Sequence, residues 1–84
     1  MNGTLQRPEI TPGRLYAMLS AEFREARDRT CLGCTMPMVF SCDRDRGEGA
    51  NWSVGPLAFH CARCEVEVER IVRKFAALYD MHGL

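Results

Sequence analysis

Two Cys-x-x-Cys pairs, Cys31-Leu32-Gly33-Cys34 and Cys61-Ala62-Arg63-Cys64, constrain this chain more than anything else in it. Residues 35–60, 26 in number, separate them in a chain of 84. At that length a folded domain buries only about 60–65% of the surface its unfolded chain exposes, so an apolar core alone leaves little stability. A two-residue spacer lets both thiolates of a tight knuckle face one tetrahedral ion, and a second knuckle completes a four-thiolate shell. Gly33 eases the first of these turns. A closed shell leaves no position for water or substrate, so its ion is structural. Such sites contribute roughly 10–16 kcal/mol of apparent binding free energy at neutral pH, more than the net stability of most small domains.

The cysteine count is five, an odd number, which argues against a closed disulfide framework. Residues 1–8 carry no apolar stretch of the kind a secretory signal needs, and no segment approaches the roughly 20 apolar residues of a membrane span. A cytoplasmic, reducing location is therefore expected, where paired Cys-x-x-Cys motifs act as metal ligands or redox groups. The expected ligand set is Cys31, Cys34, Cys61 and Cys64, holding one Zn2+, with iron as the alternative ion.

The rest of the sequence reads as one α+β domain. Residues 1–10 lack apolar periodicity and are expected to form a flexible tail. Residues 11–84 form the domain. Thr11-Pro12 opens a helix predicted over about 12–29, with Leu15, Leu19, Phe23 and Ala26 on its apolar face. Alternation places Met36, Met38, Phe40 and Cys42 on one face of a strand, with Pro37 confining it to an edge. A solvated turn follows over residues 43–51. Trp52 and Val54, then Leu57, Phe59 and Cys61, continue the extended pattern to the second knuckle. A second helix is predicted from just after Cys64 to near Met81, with a stripe of Val68, Ile71, Val72, Phe75, Leu78 and Tyr79. Glu65, Glu67 and Glu69 suit its positive N-terminal end.

The order CLGC, short hairpin, CARC resembles the zinc-ribbon class. The resemblance covers about 34 residues and implies one zinc held by both knuckles, with the hairpin offering a partner-binding surface. The chain departs from the class where its second knuckle lacks glycine and runs directly into a helix. Helix, ribbon and helix in that order are also similar to the bacterial zinc-finger regulators that act on RNA polymerase, although their knuckles stand closer together. Rubredoxin resembles the same spacing with iron, but this chain lacks its aromatic-rich, acidic composition. A thioredoxin-like redox site needs a βαβ context, which is missing here.

Two residues beside the four ligands remain as secondary or substitute ligands. Cys42 continues an apolar face, so a small buried hydrophobe is the plainer reading. His60 precedes a ligand cysteine but alternates away from it, which favours ordinary packing.

Neither HExxH nor the deaminase HxE with PCxxC is present, and the serines have no His/Asp set around them, so no enzyme is expected. The 11 basic residues balance 11 acidic ones, each third of the chain is within one unit of neutral, and four thiolates around Zn2+ add about −2. Non-specific nucleic-acid binding is disfavoured accordingly. Partner contacts through Arg44, Arg46 and Trp52 on the hairpin loop remain open, opposed by the interleaved Asp43, Asp45 and Glu48. The expected role is a small regulatory or adaptor module that binds a protein partner or a second copy of itself. A transcription-associated nucleic-acid or RNA-polymerase binder is the alternative. An apolar surplus of Tyr16, Met18, Val66 and Met81 is the candidate contact surface.

Overall fold

In the computed structural model, which describes residues 8–26, 33–57 and 61–82, two helices carry the apolar stripes expected of them. Helix α1 (Pro12–Ala26) buries Leu15, Leu19 and Phe23, spaced four apart on one face. Thr11 caps it, its Oγ1 accepting from the Arg14 N–H at 3.3 Å. Helix α2 (Ala62–Ala76) buries Cys64, Val68, Ile71, Phe75 and Ala76. The two helices pack together with Trp52 and Met36 in one core. Lys74 of α2 also reaches Glu22 of α1, Nζ to Oε2 at 2.7 Å.

The remaining elements are short strands: β1 (Glu9–Ile10), β2 (Val39–Ser41), β3 (Trp52–Val54) and β4 (Asp80–Met81). Strands β2 and β3 form an antiparallel hairpin in the register Val39 to Val54, Phe40 to Ser53, Ser41 to Trp52. Strands β1 and β4 pair in parallel, Glu9 to Asp80 and Ile10 to Met81, so the two ends of the domain meet. The fold is α+β, as the sequence implied.

Four expectations need correction. The flexible tail does not extend to residue 10, because the backbone N–H of Asp80 donates to the Pro8 carbonyl and that of His82 to the Ile10 carbonyl, fixing Glu9 and Ile10 as a strand. Helix α2 starts at Ala62 rather than after Cys64, and it ends at Ala76 rather than near Met81. Its apolar period continues through Tyr79, but pairing with β1 and burial of Met81 outweigh helix propensity there. Leu78, expected in the buried stripe, is consequently exposed. The first strand covers only Val39–Ser41. Met36 is buried while Met38 is 65% exposed, so the alternation through Pro37 does not describe one face. Pro37 supplies no ladder donor, and regular pairing begins only beyond Met38. The described part of the first helix ends at Ala26, and the expected extension to 29 lies outside the described residues.

The turn between β2 and β3 is more ordered than a solvated loop requires. Gly47 and Ala50 are buried within it, and the Gly49 N–H donates to the Arg44 carbonyl at 2.7 Å. A Cβ at Gly47 would stand 2.1 Å from the Ala50 oxygen and 2.7 Å from the Trp52 oxygen, so only glycine fits.

Candidate metal centre

The hairpin and α2 bring cysteines distant in sequence to one place. Cys34 enters on the loop before β2. Cys61 occupies the N-cap of α2 with extended backbone, φ −137° and ψ 106°. Cys64 lies in the first turn, one helical turn beyond it. The sulfurs of Cys34, Cys61 and Cys64 all lie within 4.8 Å of one another. Tetrahedral coordination with Zn–S bonds of about 2.3 Å puts sulfurs roughly 3.8 Å apart, so a small inward movement of the thiols encloses an ion. The donor set is three soft thiols, which suits zinc or iron and not magnesium or calcium. Three cysteines are thus placed to hold a metal ion.

Position strengthens the set. The Cys61 side chain makes no capping hydrogen bond, although its carbonyl accepts the first helical bond from the Glu65 N–H at 2.9 Å. The positive end of the α2 dipole favours negative sulfur at both Cys61 and Cys64. Cys34 and Cys64 are buried and Cys61 is half-buried, so water is largely kept from two of the three.

Of the other residues singled out by sequence, Cys31 and His60 lie outside the described residues. Cys42 stands apart from the three-cysteine cluster and is half-buried at the end of β2. Burial pushes its thiol pKa up, Asp43 adds to the rise, and Arg46 opposes it. The three proposed hairpin contacts have separate fates. Trp52 is fully buried and its Nε1–H donates to the Tyr79 carbonyl at 3.0 Å, which makes it a core residue and not a contact surface. Arg44 forms a two-pronged ion pair with Asp80. Arg46 is exposed, with its guanidinium 5.4 Å from the Phe40 ring centre.

Sequence reasoning missed Asp80 and Asn51. Asp80 is buried and accepts from both Arg44 nitrogens and from the Asn51 N–H at 3.4 Å. The Asn51 amide exchanges two hydrogen bonds with the Met81 backbone, at 2.7 and 3.0 Å. A carboxylate after an apolar helix was the only cue, and it is too common to single out a buried anion.

Of the apolar surplus, Met81 is buried, while Tyr16 and Met18 pack partly against the core; the Tyr16 hydroxyl donates to the Met36 carbonyl at 2.9 Å. Val66 alone of the four is exposed, at 61%. Among the described residues no helix is long and apolar enough to cross a membrane. Comparison with known protein families, curated proteins and solved structures found no match to this chain.

Proposed function

We propose that this chain is a small zinc-binding module whose single ion is structural. Cys31, Cys34, Cys61 and Cys64 hold the ion in the manner of a zinc ribbon, with the β2–β3 hairpin between the two knuckles. The observation that supports this reading is the convergence of three thiols, from both knuckles, within 4.8 Å at the start of α2. The bound ion supplies cross-linking, because it joins the loop before the hairpin to the helix after it. Four thiolates leave no open position, so the role is non-catalytic, that of a cytoplasmic interaction or regulatory module.

The nucleic-acid alternative calls on Arg44, Arg46 and Trp52. Trp52 is buried with its indole on the Tyr79 carbonyl and Arg44 is paired with Asp80, which counts against it, while Arg46 stays exposed. Native mass spectrometry with elemental analysis tests the metal. One zinc per chain, lost with the fold on chelation, is the expected result. A stoichiometry of zero, or a fold unchanged by chelation, overturns it. Cys31→Ser tests the shell: tight zinc binding retained without Cys31 would rule out the four-thiolate set.

A further inference from the structure

A groove of about 790 Å³ runs between α2 and the chain that leaves β3. One wall is a helical stripe that includes Glu65, Val66, Glu69 and Val72, at the three- and four-residue spacings of a single face. Val54 and Leu57 stand on the other wall. Val66 is 61% exposed, an unusual setting for a β-branched residue in a helix, which gains little there unless something covers it.

The charge around this apolar floor is one-sided. Glu48, Glu65 and Glu69 line the groove, and its described lining includes no lysine or arginine. Arg73 reaches Glu48 at 3.6 Å, but both side chains are more than half exposed, so the pair is weak and screened. In a chain with no net charge, Glu48, Glu65 and Glu69 still outnumber Arg73 at this groove, a local excess of acidic over basic side chains.

We propose that this groove docks a basic, apolar-faced peptide segment of a protein partner. Apolar side chains of the segment cover Val66, Val54 and Leu57, and its lysines or arginines meet the three carboxylates at the rim. Phosphate backbones are repelled by the same carboxylates, which disfavours nucleic acid as the occupant. A second copy is the competing occupant, and its self-association is read separately in the test. The inference rests on reading the chain as an interaction module and is independent of which metal it holds.

The test is selection of randomised displayed peptides on the zinc-loaded full chain, followed by fluorescence anisotropy with the enriched peptides at low and high salt. Enriched sequences should carry Lys or Arg beside an apolar face, and their affinity should fall as salt screens the carboxylates. Val66→Asp should weaken binding at least about tenfold, and Glu65→Lys with Glu69→Lys should do the same. Circular dichroism and zinc content show that each variant is folded, and the exposed glutamates provide a second variant should Val66→Asp not fold. An empty selection, enrichment without basic residues, or binding indifferent to these variants overturns the proposal. Self-association abolished by Val66→Asp also overturns it, in favour of a second copy. Peptide binding by a chain that takes up no zinc would sink the metal reading alone. Stoichiometric zinc with an empty selection would sink the groove alone.

Discussion

The Arg44 guanidinium holds the Asp80 carboxylate through two N–H···O bonds of 3.0 and 3.1 Å, across 36 residues of sequence. The geometry is the bidentate fork in which arginine pairs best with a carboxylate. It fastens the turn after β2 to β4, which is itself paired with β1. Asn51 adds to the same junction: its side-chain amide bonds the Met81 N–H and carbonyl, as a neighbouring strand would. Strand β4 therefore has β1 on one edge and Asn51 beside it on another.

This junction predicts where the domain is vulnerable away from the cysteine cluster. Asn51→Ala leaves the Met81 backbone groups without the Asn51 amide and should cost about 1–3 kcal/mol. Asp80→Ala should cost a similar amount, since it deprives the Asn51 N–H and the Arg44 fork of their acceptor. Arg44→Ala should also destabilise, because it strips the ion pair from a buried carboxylate. Urea unfolding of the zinc-loaded chain measures all three. An unchanged midpoint for Asn51→Ala would show that its two hydrogen bonds are replaceable by water.

Two glycines should answer oppositely to the same substitution. At Gly47 an added methyl meets backbone oxygens at 2.1 and 2.7 Å, and neither can swing aside as a side chain would. Gly47→Ala should therefore cost about 2–3 kcal/mol, near the upper range for forced overpacking. Gly13, in the first turn of α1, has nothing within 4 Å of the added carbon. Gly13→Ala should stabilise by up to about 1 kcal/mol, through the lower entropy of the unfolded chain. Thermal melts of the two variants side by side give the contrast, and equal shifts would contradict the turn geometry.

The helices were legible because their signals are local. Leu15, Leu19 and Phe23 announce α1 by spacing, and Val68, Ile71 and Phe75 announce α2. The approach of Cys34 to Cys61 and Cys64 was legible too, because paired Cys-x-x-Cys spacing points to a shared site. What failed depends on partners far along the chain. Nothing near Ile10 signals that it pairs with Met81, and nothing near Asp80 signals Arg44. Those long-range contacts ended α2 early and turned Glu9 and Ile10 into a strand. Trp52 misled for a different reason. An aromatic beside a charged turn suits a contact surface equally well until the Tyr79 carbonyl is found waiting for its indole.

The Glu22–Lys74 contact links the exposed flanks of α1 and α2, and it sets a weak acid dependence. Its hydrogen bond to Lys74 lowers the Glu22 pKa, with Lys74 and Arg70 charges adding to the effect and burial opposing it. A carboxylate whose pKa is lowered by folding stabilises the folded state above its unfolded value, and that contribution is lost as pH falls through the folded one. NMR titration of Glu22 should give a midpoint below that of an ordinary glutamate. Lys74→Met should return the midpoint upward, and Glu22→Gln should flatten this part of the acid profile. A midpoint unmoved by Lys74→Met would mean that the pair does not persist in solution.

The five cysteines should divide by reactivity. In the zinc-loaded chain the ligand thiolates are held by the ion, leaving Cys42 as the thiol that iodoacetamide reaches. Burial, then Asp43, raise its pKa, so alkylation should be slow at neutral pH and should climb only at a pH above that of free cysteine. The raised value has a stability consequence of definite sign. The folded state holds the Cys42 proton more tightly than the unfolded chain, so this contribution is whole below the ordinary thiol pKa and is lost as pH rises through the folded value. Cys42→Ser should therefore be mild at neutral pH and should reduce alkaline destabilisation. Cys61→Ser and Cys64→Ser, by contrast, should release zinc and unfold the domain at neutral pH. Mass spectrometry after brief alkylation, with and without chelator, distinguishes the classes: one modified cysteine should become several once the metal is withdrawn. If Cys42→Ser and Cys64→Ser were equally damaging, the ligand set would have to be redrawn around Cys42.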